Sequence, residues 1–253
     1  MGLFDNADTE MHRKGVQMRN SGSVEEGMKL IRQAAENGAP NALGTLIWYE
    51  IKIDQLDQAI KDFETCLPRV HEWNKREIER VSKSWLASKS DRQTFSHFCL
   101  YELSNAKSNA AVAYLGTGNE ARAMELWNEA TTDHGHVEAR FYPLFHMCQA
   151  NPTMAIGILK SAFNKQELQR LVNDMVEVST QGTGWFANWA KNGLTVLKET
   201  VQKSGTASGA AAASAAGGAA FLASKQFNNF VKDQIQENYG EGESLADWFG
   251  ELF

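Results

Sequence analysis

Small and large apolar residues recur at a fixed spacing along the first two thirds of the chain. Four windows begin with a small residue, 32, 64 and 32 positions apart: Gly27, Ala59, Ala123 and Ala155. A bulky apolar residue follows four positions later and another small one seven positions later: Ile31, Phe63, Trp127 and Leu159, then Ala34, Cys66, Ala130 and Ala162. These spacings fall on one face of an α-helix. Each window therefore predicts an amphipathic helix that a neighbour can approach closely.

Capping and breaking residues bound these windows. Ser23 with Glu26 three positions later predicts a capping box, and Asn37-Gly38 predicts the end of that helix. Pro40 suits the first turn of the next helix. Comparable breaks occur at residues 116–119, 134–139 and 151–153. With only four prolines and few alternating β-branched runs, the chain is predicted to be all-α.

The interval between the second and third windows is twice as long as the others. The slot at Asp91 supplies Phe95 at the bulky position, but Arg92 and Phe98 break the rest of the pattern. Just before it, one apolar stripe runs through residues 70–89: Val70, Trp73, Ile78, Val81 and Trp85. Two interpretations stay open for this stretch, an inserted helix and a drifted repeat.

The windows Ala59-Phe63-Cys66 and Ala123-Trp127-Ala130 resemble the second-helix core of the tetratricopeptide superfamily. The junction from Ala34 to Ala42 is similar to its Sel-one-like branch. The resemblance covers about residues 10–165 and implies a right-handed solenoid of antiparallel helix pairs. It also implies a non-enzymatic scaffold whose concave face binds a protein or peptide partner.

Two aromatic residues are candidates for that partner contact. Trp48 and Tyr49 are adjacent on a predicted helix, so both cannot face inward, and we expect one of them to be exposed for contact. Trp127 occupies the bulky position of its window and is expected to be buried.

The last quarter of the chain has a different pattern. The apolar windows stop after Val178, and residues 179–184 are typical of a linker, which predicts a repeat domain at 1–178 and an additional helical region at 179–253. Residues 204–224 carry no charge and are rich in Ala and Gly. They fit a closely packed helix, a loop, or a membrane-inserted segment. Membrane insertion is the weaker interpretation, because Phe221 and Leu222 are the segment's only large apolar residues.

The excess negative charge lies in a short C-terminal tail. The chain has a formal net charge of −6, and residues 233–253 contain six acidic side chains. The preceding part is balanced, which argues against a basic nucleic-acid-binding protein. Ser244 can cap a terminal acidic, aromatic helix whose candidate contact residues are Asp247, Trp248, Phe249 and Phe253. That helix can cap its own array or dock on a partner.

Chemical motifs are scarce. His134-x-His136, near Asp133 and Glu138, has no third ligand at a characteristic spacing, so it indicates an interhelical turn rather than a metal site. The chain contains no phosphate-binding loop, HExxH or GxSxG motif. We therefore expect no catalytic, cofactor-binding or metal-binding residues.

Charge and cysteine patterns bear on partners and compartment. Basic residues between Lys75 and Arg92 are interleaved with acidic ones, so we expect no nucleic-acid face there. Three widely spaced cysteines and the lack of a signal-peptide pattern predict a cytoplasmic protein, with membrane association as the alternative: Cys66, Cys99 and Cys148.

Overall fold

The computed structural model describes residues 6–134 and 137–206, except for the side chains of residues 132–134, 160 and 201–206. Within these ranges it contains ten α-helices and no strand, which confirms the all-α prediction. The helices are α1 (Ala7–Asn20), α2 (Val24–Glu36), α3 (Pro40–Lys52), α4 (Leu56–Lys83), α5 (Lys89–Gly116), α6 (Glu120–His134), α7 (Val137–Ala150), α8 (Pro152–Ala162), α9 (Lys165–Gln181) and α10 (Gly184–Thr206).

The chain divides into two compact units, residues 1–140 and residues 141–253. The sequence pattern places the domain boundary later, after Val178, where the apolar windows stop. In the second unit α10 packs on both α8 and α9, so the chain on either side of Val178 shares contacts. The predicted linker is wrong for residues 179–181, which form the last turn of α9. The hydroxyl groups of Ser179 and Thr180 donate there to the Val176 carbonyl.

The four apolar windows lie on α2, α4, α6 and α8, and their small and bulky positions are all buried. Trp127 is among them, as predicted. The small first position does bring helices together at Gly27, where α2 crosses α1. A Cβ atom on Gly27 would lie 2.6 Å from both the Gly15 carbonyl oxygen and the Arg19 amide nitrogen. Any residue larger than glycine at this position would therefore force the backbones of α1 and α2 apart.

Helix pairing in the first unit follows chain order. α1 packs on α2, α3 on α4, and α5 on α6, while α2 contacts α3, and α3 and α4 both contact α5. The connections between successive helices from α1 to α6 are three to five residues long. Buried residues surround almost the whole circumference of α5 from Leu103 to Leu115, because α3, α4 and α6 all pack on it.

The long interval between windows is explained by the lengths of α4 and α5. Each has 28 residues and spans about 42 Å, whereas α3 has 13 residues and spans about 20 Å. Residues 70–83 continue α4 without interruption, so they form neither an inserted helix nor a drifted repeat. Pro68 lies inside α4 with its ring on the exposed side.

Residues 74–99, the outer hairpin, consist of the far half of α4, a short connection and the near half of α5. Each half-helix buries one narrow stripe. The stripes and the connection meet in one apolar cluster: Trp73, Val81, Ala87, Phe95 and Cys99, with Ile78 and Phe98 at its edge. Trp85 is not on the predicted stripe, because α4 ends at Lys83, and its side chain is 88% exposed.

The turn between α2 and α3 follows the prediction, whereas the predicted cap at Ser23 does not form. Asn37 ends α2, Gly38 adopts a positive φ of 96°, and Pro40 begins α3. Ser23 precedes α2 as predicted, but its side chain makes no capping hydrogen bond. Its backbone N–H instead donates to Met18 in the turn that closes α1. Its φ and ψ of −84° and 64° also lie away from the extended region that capping residues adopt.

The second unit is held by aromatic contacts between helices. The Trp189 ring on α10 packs 4.9 Å from the Phe145 ring on α7, and Gly193 leaves room for that phenyl group. Across residues 6–134 and 137–206, no helix is both long and apolar enough to cross a membrane. Of the Ala/Gly-rich segment, Ser204–Thr206 end α10, and the remainder lies outside the described residues.

Candidate partner-binding surface

One stripe of α3 remains partly open while the rest of the helix is buried. The stripe, called the α3 stripe below, consists of Asn41, Thr45, Trp48, Tyr49 and Lys52. Its members lie at spacings of three, four and seven residues, which align along one side of a helix. Trp48 and Tyr49 are both half-buried, so the pair straddles the edge of the stripe instead of dividing into one inward and one outward ring.

Cations lie beside both aromatic rings. The Arg19 guanidinium of α1 stacks 3.6 Å from the centre of the Tyr49 ring. The Lys52 ammonium lies 5.8 Å from the centre of the Trp48 ring, within the range of a cation–π contact. This part of the stripe therefore combines aromatic rings with basic side chains.

A hydrogen-bond chain links α1 to the other end of the stripe. His12 Nδ1 lies 3.0 Å from Asn41 Nδ2, and His12 Nε2 lies 2.9 Å from Thr45 Oγ1. Since the Asn41 amide donates to Nδ1, the ring proton sits on Nε2 and is donated to Thr45, whose hydroxyl donates to the Asn41 carbonyl. Burial lowers the pKa of His12 to about 4, so the ring is neutral near pH 7.

The α5 side of the stripe is fixed by amides. Asn109 Nδ2 donates to the Gly44 carbonyl at 3.0 Å and to Asn105 Oδ1 at 3.3 Å. Asn105 lies so close to α3 that a Cβ atom on Gly44 would meet its Nδ2 at 3.0 Å. These contacts hold α3 and α5 in one register beside the stripe.

A buried ionic cluster lies on the opposite side of α3. Arg32 on α2 donates to Glu50 Oε1 at 2.7 Å and also to Asp62 on α4. Glu50 is fully buried, and burial raises its pKa to about 8, with the Asp62 carboxylate adding to the rise. With Glu50 protonated, the single charge of Arg32 is balanced by Asp62 alone. The cluster joins three successive helices and was not predicted. Its only local signal is an acidic residue between the buried Ile47 and Ile51.

The described residues place the other candidate groups in structural roles. All three cysteines are free and buried, and burial raises the pKa of Cys66 to about 11 and of Cys99 to about 12. Thiols with raised pKa values are poor nucleophiles. No cluster of three or more His, Cys, Asp or Glu side chains suited to a metal occurs in the part of the chain that is described. His134 ends α6, and His136 lies outside that part.

The interleaved charges of α4 pair with one another. Arg80 and Arg76 donate to Glu77 at 2.7 and 3.2 Å, and Lys83 donates to Glu79 at 2.5 Å. The remaining predicted contact residues lie outside the described ranges: Asp247, Trp248, Phe249 and Phe253.

No family model, curated protein or solved structure matches this chain.

Proposed function

We propose that this protein is a non-enzymatic helical-repeat scaffold that binds another protein or a peptide, and that the α3 stripe is part of its binding surface. The observation that carries the proposal is the burial of all the small and bulky positions of the four windows, on α2, α4, α6 and α8. The same spacing of buried positions in four helices supports our proposal of a right-handed solenoid of helix pairs, as in the tetratricopeptide superfamily and its Sel-one-like branch.

The composition of the α3 stripe supports binding rather than catalysis. Trp and Tyr provide large contact areas at a low entropic cost, and they are enriched where proteins bind partners. Helix α1 holds the Tyr49 ring through Arg19, and it holds Asn41 and Thr45 of the same stripe through His12. A surface ordered before binding loses less entropy when a partner binds.

The charges favour an acidic partner that carries aromatic or aliphatic side chains. Arg19 and Lys52 both lie beside rings, where a carboxylate of the ligand would meet a cation while its apolar part packs on Trp48. The chain's own tail, residues 233–253, has this chemistry. We propose that the tail either caps the array or docks on a separate partner, and that the scaffold acts in the cytoplasm.

Affinity capture with the full chain tests the proposal. Lys52→Glu reverses one charge of the stripe, and Val24→Ala shortens an apolar side chain that is 53% exposed on α2. We expect a captured protein to be retained by the wild type and Val24→Ala and lost with Lys52→Glu, at equal thermal stability. If folded wild-type protein recovers nothing, or if both variants retain the same partner, the proposed surface is wrong.

The role of the tail needs a separate experiment. A photo-crosslinking amino acid in place of Phe253 in the full chain reports what lies beside it. Crosslinks to peptides of α3 within one molecule support the capping role. Crosslinks only to a captured partner support the docking role.

A further inference from the structure

The tip of the outer hairpin presents two adjacent large apolar side chains to solvent. Trp85 is 88% exposed and Leu86 is 65% exposed. The other exposed large hydrophobic residues in the described part of the chain are isolated: Val24, Ile53 and Val176. Single exposed apolar residues are ordinary, but an adjacent tryptophan and leucine at the end of a projecting hairpin mark a contact site.

The connection that carries this pair is firmly held on both sides. The Ala87 N–H donates to the Ser84 carbonyl at 3.3 Å, and Ala87 itself is buried in the hairpin cluster. Arg92 Nη2 donates to the same carbonyl at 3.1 Å. Ser88 and Asp91 form a complete capping box at the start of α5. Trp85 and Leu86 are therefore held outward by a fixed frame and cannot be attributed to a frayed helix end.

The tip is positively charged although the whole chain is negative. Residues 79–92 contain four basic and two acidic side chains, whereas the chain has a formal net charge of −6. Lys83 pairs with Glu79 and Arg80 with Glu77 just outside this range, and Asp91 bonds Ser88, so the excess positive charge rests on Lys89 and Arg92. Lys83 and Lys89 flank the apolar pair in sequence and are exposed. An anionic surface would complement this arrangement.

We propose that the hairpin tip docks on the surface of a membrane containing anionic lipids. Trp85 and Leu86 are adjacent and both exposed, so the two side chains can enter the interfacial layer of a bilayer together. Tryptophan favours this layer because its ring is apolar and its N–H is polar. Lysines beside it would lie near lipid phosphates, where basic side chains strengthen binding. The proposal is independent of the α3 stripe, which leaves the scaffold able to hold a partner while the tip is bound.

Flotation of the full chain with vesicles tests this inference. One set is phosphatidylcholine alone, and the other contains about 30 mol% phosphatidylserine, which supplies the negative surface potential. We expect the chain to float with the anionic vesicles and to be released by high salt. Trp85→Ala should weaken partitioning to the anionic vesicles about tenfold, because the variant has no large apolar ring to transfer from water into the bilayer interface. Lys89→Gln should weaken it about fivefold.

Ile53→Ala is the matched control, because Ile53 is an exposed apolar residue at a different turn and should not alter flotation. Brominated lipids add a direct readout: they should quench part of the wild-type tryptophan fluorescence, and Trp85→Phe should remove that part. Equal flotation of the wild type and the double variant Trp85→Ala/Leu86→Ala would assign membrane binding to another segment and overturn the proposal. A wild-type chain that binds neither kind of vesicle would also overturn the proposal. That result would favour a protein partner as the ligand of Trp85 and Leu86.

Discussion

The outer hairpin and the α1–α3 segment belong to the same unit but are packed by opposite means. In the hairpin two helices are joined by large side chains, with the Phe95 ring 6.5 Å from the ring of Trp73 at the base of the hairpin. In α1–α3 the backbones of α1 and α2 touch at Gly15 and Gly27, and buried aliphatic side chains such as Ile31 pack beside this crossing. Two helices can thus be held together by large buried side chains or by close contact of their backbones. The first kind of contact should be sensitive to loss of side-chain volume and the second to added volume.

The largest expected effect comes from removing volume in the hairpin. Phe95 is 2% exposed, so Phe95→Ala should lower the free energy of unfolding by about 4 kcal/mol. Because Phe95 packs between α4 and α5, hydrogen exchange should accelerate across residues 74–99 while α2 stays protected. Phe98→Ala, at the half-buried edge of the cluster, is the control and should have a smaller effect. Uniform loss of protection throughout the unit would contradict the division into two regions.

Adding volume should disturb the α1–α2 crossing. Gly27→Ala places a methyl group against two backbone atoms and should cost about 2 to 3 kcal/mol in urea unfolding. Gly157→Ala on α8 is the control, since nothing lies within 4 Å of its Cβ position. There the substitution should be neutral or stabilising by up to about 1 kcal/mol. A harmless Gly27→Ala would show that close approach does not hold this pair.

The ionic cluster of Arg32, Glu50 and Asp62 predicts that the free energy of unfolding depends on pH near neutrality. The pKa of Glu50 is raised from 4.5 to about 8 in the folded protein, so folding favours its protonated form. This stabilisation is complete below about pH 4.5 and is lost as the pH rises through about 8. Between about pH 7 and pH 9 the wild type should lose about 1.4 kcal/mol more than Glu50→Gln. The free energy of unfolding is measured in urea for both proteins at both pH values. If it changes by the same amount in the two proteins, the predicted role of Glu50 is wrong.

The smallest effect is expected at the hairpin connection. Ser88→Ala removes a capping side chain and should cost about 1 kcal/mol, measured by thermal unfolding. Ser90→Ala, in the same turn but outside the capping box, is the matched control. If both substitutions have the same effect, the capping hydrogen bonds do not hold the tip.

Local patterns in the sequence predicted four of the helices, three in the first unit and one in the second. The small and bulky positions of each window lie within one helix, so spacing alone identified α2, α4, α6 and α8 and the burial of Trp127. The outer hairpin was not predicted, because a two-helix hairpin and a repeat produce the same helical period. The Ser88–Asp91 capping box was a readable signal that α5 begins near there.

The candidate site was predicted only in part. The adjacency of Trp48 and Tyr49 indicated a contact surface, but the choice of one exposed ring was too simple, because both lie at the edge of the α3 stripe. The Arg32, Glu50 and Asp62 cluster joins residues 18 and 30 positions apart on three helices. No periodicity of a single helix contains that information.

The chain enters and leaves the outer hairpin at neighbouring points, where Asn74 Nδ2 donates to the Cys99 carbonyl at 3.3 Å. We therefore expect that residues can be inserted or deleted between positions 74 and 99 without displacing the helices that lie outside the hairpin. Seven residues added to each half-helix would preserve the phase of the buried stripe and move Trp85 outward by about 10 Å. The distance between Trp85 and the rest of the unit can then be changed by insertion or deletion in the hairpin alone.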